Sequence, residues 1–373
     1  MLKQVKHVSK IALFYDLVFV YMISKTTEIL HHLEHGLVSP TSFFFFALIV
    51  LIFINSWMIQ TIFTNRYGKG SWGDIAFYII DMMIVLYMSN SFDTNNLREM
   101  RILFISAGLL SFTLCLHYLI NYFQVSQQID KKISQTYFVI LLIRALSLII
   151  GGILDNDPGL IIAIIGVLIS WLAPILTKNE SRQHPIIFSH LLERLNMLIV
   201  IIFGETIIGV AEYFKVDTFN FYSILIFLVV GFLFFAYMWQ FDQLLDENQP
   251  DASGDLLIYV HYLIIFSISL ITVGLKFINE KEASSYFAVL CLYAGIGLFY
   301  LGLGLASKYN KKQFTIPASL VIAITMIILS GCLICLYWPD FGIISTVTCL
   351  ATFLNAFILV HHCLPDIKKG ILS

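Results

Sequence analysis

Apolar runs of about 20 residues, separated by short polar stretches, recur along the whole chain. A helix of that length crosses a hydrocarbon layer about 30 Å thick. The pattern predicts twelve helices, over 11–30, 42–64, 74–90, 101–123, 134–154, 159–177, 191–213, 219–240, 256–278, 285–306, 316–338 and 342–362. Turn-forming residues fill several of the gaps, as in Gly36 to Pro40, Gly68 to Gly73, Asn156 to Gly159, Asn248 to Gly254 and Pro339 to Gly342. The expected fold class is therefore an all-α polytopic membrane protein.

Composition supports that class. Of the 373 residues, 59% are hydrophobic and only 12% charged, and the mean hydropathy is +0.86. A soluble domain carries roughly 25% charge. The net charge of −2 says nothing about a nucleic-acid partner and no clustered basic tract suggests one, so none is expected; the lipid bilayer is the expected partner. The six cysteines lie in or beside apolar runs, where thiols serve packing, and Cys332-x-x-Cys335 is read that way too.

The chain also matches itself at an offset near 181 residues. Gly73-Asp74-Ile75-Ala76-Phe77-Tyr78 aligns with Gly254-Asp255-Leu256-Leu257-Ile258-Tyr259. In the same order, Leu116-His117-Tyr118-Leu119 aligns with Leu298-Phe299-Tyr300-Leu301, and Lys131-Lys132 falls near Lys311-Lys312. These matches predict two parallel six-helix pseudo-repeats, residues 1–180 and 181–373, an arrangement that places a transport site between halves. The last three helices hold no charge in their interiors and are expected to act as scaffold or as a homodimer surface.

Lys3, Lys6 and Lys10 precede the first run, which has no small-residue cleavage site and reads as a retained signal anchor. With twelve spans, one set of loops and termini holds fourteen Lys and Arg and the other five. The basic set belongs inside, so both termini are expected in the cytoplasm. The acidic loop Asp242 to Asp255 is the one inner loop that lacks Lys and Arg.

Several runs contain ionisable residues, which are costly in a bilayer and normally face a bundle interior. Asp16, Asp81, Arg144, Glu205 and His261 form the candidate ion pathway. Arg144 is expected to pair with Asp81 or Asp16, either as a fixed strut or as part of a relay that exchanges partners. Gly204 and Gly209 flank Glu205 and leave room for a close helix or a ligand. Glu193 reads as a helix-start acid favoured by the macrodipole. At the end of the first run, Glu28, His31 and His35 have spacings that could present metal ligands from one helix face, although Lys25 would compete for Glu28 and an interfacial cluster is the plainer reading. No metal or other cofactor is expected.

Leu13-Phe14-Tyr15-Asp16-Leu17-Val18-Phe19-Val20 resembles the opening motif of the bacterial low temperature requirement protein A family. Further stretches are similar to the same family in the same order: Asn65-Arg66, His190-x-x-Glu193-Arg194, Gly204-Glu205, Trp239-x-Phe241-Asp242 and His261. Lys10 and Ala12 stand where the family often has an acid, and Tyr15 replaces a Phe. The resemblance implies a multi-spanning bacterial inner-membrane protein and implies no substrate. Asn65, Arg66, His190, Glu193, Arg194 and Asp242 are read as a structural or gating polar network.

The pattern favours a proton- or cation-coupled secondary transporter of a small ion or solute. The alternatives are a cation channel of two six-helix repeats, or a membrane-embedded lipid-handling protein or enzyme. No T-V-G-Y-G filter supports the channel. No H-E-x-x-H, G-x-S-x-G or P-loop supports catalysis or ATP-driven work, so no enzymatic activity is expected.

Overall fold

The computed structural model describes residues 8–31, 33–91, 97–154, 156–172, 178–247 and 254–371. Thirteen α-helices appear among them. They are α1 (Lys10–Glu28), α2 (Pro40–Tyr67), α3 (Trp72–Ser89), α4 (Leu97–Gln124), α5 (Gln128–Leu154), α6 (Asp157–Leu172), α7 (Lys178–Gln183), α8 (Phe188–Val210), α9 (Phe221–Met238), α10 (Asp255–Phe277), α11 (Ser285–Ala306), α12 (Ala318–Tyr337) and α13 (Phe341–Ile371). Every expected run is met by a helix, but ten of these, not twelve, are long and apolar enough to cross a membrane. Of the other two, α1 carries Asp16, Lys25 and Glu28, and α6 has 16 residues, about 24 Å of helix. The short polar α7 was not expected.

Between α1 and α2 lies an unexpected two-residue hairpin, β1 (Leu33–Glu34) paired antiparallel with β2 (Leu37–Val38). His35 and Gly36 take φ of 54° and 80° at its tip. Positive φ at both central residues is what a tight hairpin turn requires.

The chain divides into two compact units, Met1–His32, Pro40–Leu195 and Pro250–Asp255 in one, and Leu33–Ser39, Asn196–Gln249 and Leu256–Ser373 in the other. The boundary falls inside α8. In the first unit α1 packs on α2 and α3, α4 on α2, α3 and α5, and α6 on α5 and α2. Close approach there depends on small residues: a Cβ added at Gly151 of α5 would lie 2.6 Å from the Gly159 carbonyl oxygen of α6. Membrane helices pack through such small-residue contacts because apolar burial alone gives little drive in lipid.

In the second unit α13 packs on α9 and α12, and α11 on α12. Gly274 of α10 lies against the backbone of Leu292 in α11. α9 continues into a π-helical turn, Trp239–Leu244, which is tied down where Lys311 donates its backbone N–H to the Leu244 carbonyl at 2.8 Å. Outward apolar faces are extensive, as on α12, where Ile322, Met326, Leu329 and Leu333 are exposed. Such faces fit a lipid surround.

The strongest internal sequence match is not alike in backbone. Gly254 precedes its helix at φ +70°, whereas Gly73 lies inside α3 and the left-handed residue there is Gly70, at φ 66°. Ser71 caps α3 with Asp74 in a reciprocal capping box, which fixes that start by side chains.

Candidate functional site

In the first unit the polar residues converge on Asp16, which is fully buried. Trp57 Nε1 donates to Asp16 Oδ1 at 2.7 Å, and Arg194 Nη2 donates to the same oxygen at 2.8 Å. Trp57 comes from α2 and Arg194 from α8. The guanidinium also sits over the Trp57 ring, 5.1 Å from its centroid, adding a cation–π contact. Thr61, one turn from Trp57 on α2, lies 3.4 Å from Arg194 Nη2.

The network is incomplete in its hydrogen bonding. Asp16 Oδ2, Arg194 Nη1 and the Tyr15 hydroxyl are buried without a hydrogen-bond partner. Tyr15 lies within electrostatic reach of Asp81, Tyr78, Arg194 and Asp16, and its ring meets Tyr78 edge-on at 5.0 Å. Asp81, also buried, accepts from the Thr113 hydroxyl of α4 through Oδ1, while Oδ2 has no hydrogen-bond partner. Buried polar groups are ordinarily satisfied, so four open atoms in this group of side chains leave capacity for water, a proton or an ion.

Arg144 departs from expectation. Its guanidinium donates to Asn55 Oδ1 at 2.8 Å, the Ile52 carbonyl at 2.9 Å and Ser56 Oγ at 2.7 Å, all on α2. The carboxylates expected beside it have other hydrogen-bond donors, Thr113 for Asp81 and Arg194 with Trp57 for Asp16. The physical reason is that a turn of helix offers three neutral acceptors spaced for the planar guanidinium fork. Arg144 thus braces α5 to α2.

Asn65 and His190 lie side by side. Asn65 Nδ2 donates to the Ile187 carbonyl at 2.9 Å and lies 3.1 Å from His190 Nδ1, while Ile187 N–H donates to Asn65 Oδ1 at 2.8 Å. The carboxamide pairs with the backbone as a strand neighbour would, pinning the start of α8 to the end of α2. Glu193 is not in the first turn of α8, which begins at Phe188, so the helix-start reading fails. Arg66, the next residue after Asn65, lines a cavity treated below.

In the second unit a hydrogen-bonded chain runs outward from His261. Its Nδ1 lies 2.7 Å from the Leu257 carbonyl and its Nε2 lies 3.0 Å from the Tyr237 hydroxyl. Tyr237 in turn reaches Asn196 Oδ1 at 3.0 Å, and Asn196 Nδ2 donates to Asp242 Oδ1 at 3.1 Å. With Nδ1–H committed to Leu257, a neutral His261 presents Nε2 as an acceptor, so one phenol hydrogen faces two acceptors. Asp242 is exposed and His261 buried, and the π-helical turn carries Asp242 to its place. Glu205 is buried, one residue from Thr206, which shares a 2.8 Å hydroxyl contact with Thr272. The two glycines beside it differ in surroundings: a Cβ at Gly209 would meet the Lys276 side chain at 2.8 Å, whereas one at Gly204 would meet nothing within 4 Å.

The metal candidates separate. Lys25 takes Glu28 at 2.9 Å, α1 ends there, and His35 sits at the hairpin tip, off any helix face shared with His31. The His31 side chain lies outside the described residues. Among those described, no three or more His, Cys, Asp or Glu are grouped to hold a metal.

Trp57, Thr113, Asn196 and Tyr237 are members that the sequence did not single out as site residues. Their polarity within apolar runs is the signal they carry. Among curated proteins none matches the chain. The model of the family described as bacterial low temperature requirement A protein (LtrA) matches residues 7–355, a span that includes both networks and Asn65-Arg66, and the chain belongs to that family.

Proposed function

We propose that this protein is a proton- or cation-coupled secondary transporter of a small ion or solute in the bacterial cytoplasmic membrane, with both termini inside. The observation that carries the reading is the unfinished hydrogen bonding of Asp16, Asp81, Arg194 and Tyr15, all buried within the helices of the first unit. A purely structural ion pair would be expected to satisfy its buried atoms, since each open one costs about 1–3 kcal/mol. A proton or cation arriving at Asp16 would compete with Arg194, and the released guanidinium supplies a second arrangement of the bundle. Glu205 and the chain from His261 to Asp242 are the corresponding titratable groups of the second unit, and Asp242 gives that chain an exposed end.

Two parallel six-helix repeats are part of the proposal. Counting α8 to α13 as counterparts of α1 to α6, the contacts of α9 with α13, α11 with α12 and α12 with α13 correspond to those of α2 with α6, α4 with α5 and α5 with α6. The differing starts at Gly73 and Gly254 are then local changes within a shared packing order.

The test is flux into proteoliposomes with and without an imposed pH gradient. Asp16→Asn and Asp81→Asn should each reduce gradient-driven flux at least tenfold in protein that is purified folded, with Asp81→Asn, which breaks no ion pair, keeping its thermal midpoint within a few degrees. Flux that is unchanged in both variants rejects the carboxylate pathway. Unsaturable, voltage-driven current in the unmodified protein would favour the channel alternative.

A further inference from the structure

A cavity of about 560 Å³ opens at the surface of the first unit, lined by Asn65, Arg66, Lys69, Asn121, Asp130 and His184 among others. That volume is in the range of ligand sites. Arg66 stands in the last turn of α2 and Lys69 just beyond it; α2 is long and apolar enough to cross a membrane, and the end of such a helix falls at the headgroup layer. Arg66 Nε and Nη1 are buried and have no hydrogen-bond partner.

The acid in the cavity does not answer that need. Asp130 accepts from the Tyr67 hydroxyl at 3.3 Å and is in contact with His184 Nδ1. The amides are committed as well: Asn121 Nδ2 donates to Ser134 Oγ at 2.8 Å, and Asn65 is held by Ile187 and His190. The walls are therefore fixed by their own hydrogen bonds, and the donors left over are cationic. A guanidinium with open N–H groups beside a lysine ammonium matches a doubly charged oxyanion.

We propose that this cavity is a binding site for a phosphate group, with Arg66 and Lys69 as its ligands. The chemistry is shared by free phosphate and by the phosphate of an anionic lipid headgroup. The site is separate from Asp16 and Asp81 and stands whether or not those residues carry transport.

Two measurements on the full-length protein test it. In detergent, inorganic phosphate is titrated by calorimetry; in nanodiscs, retention of phosphatidic acid against a phosphatidylcholine background is read by native mass spectrometry. Saturable binding in the first assay assigns free phosphate, and lipid retention alone assigns the headgroup. In either case Arg66→Gln should weaken binding at least tenfold and Lys69→Gln several-fold, with Lys312→Gln, in the second unit, unchanged. If Arg66→Gln does not fold, the exposed Lys69 variant decides. Absence of saturable binding in both assays, or binding indifferent to both substitutions, overturns the proposal and leaves a water-filled cavity.

Discussion

At the scale of single residues, Trp57 separates two contributions to the Asp16 cluster. Trp57→Phe keeps a ring beneath Arg194 but removes the donor to Asp16. It should destabilise the protein by about 1–2 kcal/mol, read from its unfolding midpoint in detergent, because the carboxylate loses one of its two donors. Arg194→Gln should cost more, about 3–5 kcal/mol, since it strands a buried carboxylate. The distinction between Arg144 and Arg194 is equally measurable. A double-mutant cycle of Asp81→Asn with Arg144→Lys should give coupling below about 0.5 kcal/mol, whereas Asp16→Asn with Arg194→Lys should couple by at least about 1 kcal/mol. Strong coupling of Asp81 to Arg144 would contradict the braced arrangement on α2.

The same residues show what the chain could tell in advance. Charges in apolar runs announced that Asp16, Asp81, Arg144 and Glu205 face inward, because lipid excludes them. Depth along a helix follows from counting residues at 1.5 Å each. Azimuth does not follow, because the runs are apolar on every side and no polar stripe marks the buried face. Depth near Asp81 therefore could not tell which groups hold Arg144, and the neutral Asn55 and Ser56 that bind it carry a weak signal in the sequence.

At the scale of elements, helices were legible because length and apolarity determine a span in a bilayer. The hairpin at 33–38 was hidden by its brevity, and the π-helical turn by the mixed polar and apolar sequence of Trp239–Leu244, which carries no helical period. Helix contacts through glycine are a local prediction of the fold. Gly151→Val should lower the unfolding midpoint by an amount equivalent to about 1–3 kcal/mol, since its Cβ would sit 2.6 Å from the Gly159 carbonyl. Gly204→Ala, which meets open space, should leave the midpoint unchanged or slightly raised.

At the scale of the whole molecule, the inside location of both termini is tested by introducing cysteines at Lys3 and Gly370. An impermeant thiol reagent should label neither in intact cells and both after permeabilisation; labelling of either in intact cells would reject the topology. The division of the chain carries a further consequence. Arg194 is bound to Asp16 and Asn196 to Tyr237 and Asp242, and those two residues are separated by one position on α8. At 100° per residue they point about 200° apart from one shaft. Two side chains on nearly opposite sides of one helix thus end in two separate hydrogen-bond networks, Arg194 at the Asp16 carboxylate and Asn196 at the Tyr237 phenol and the Asp242 carboxylate.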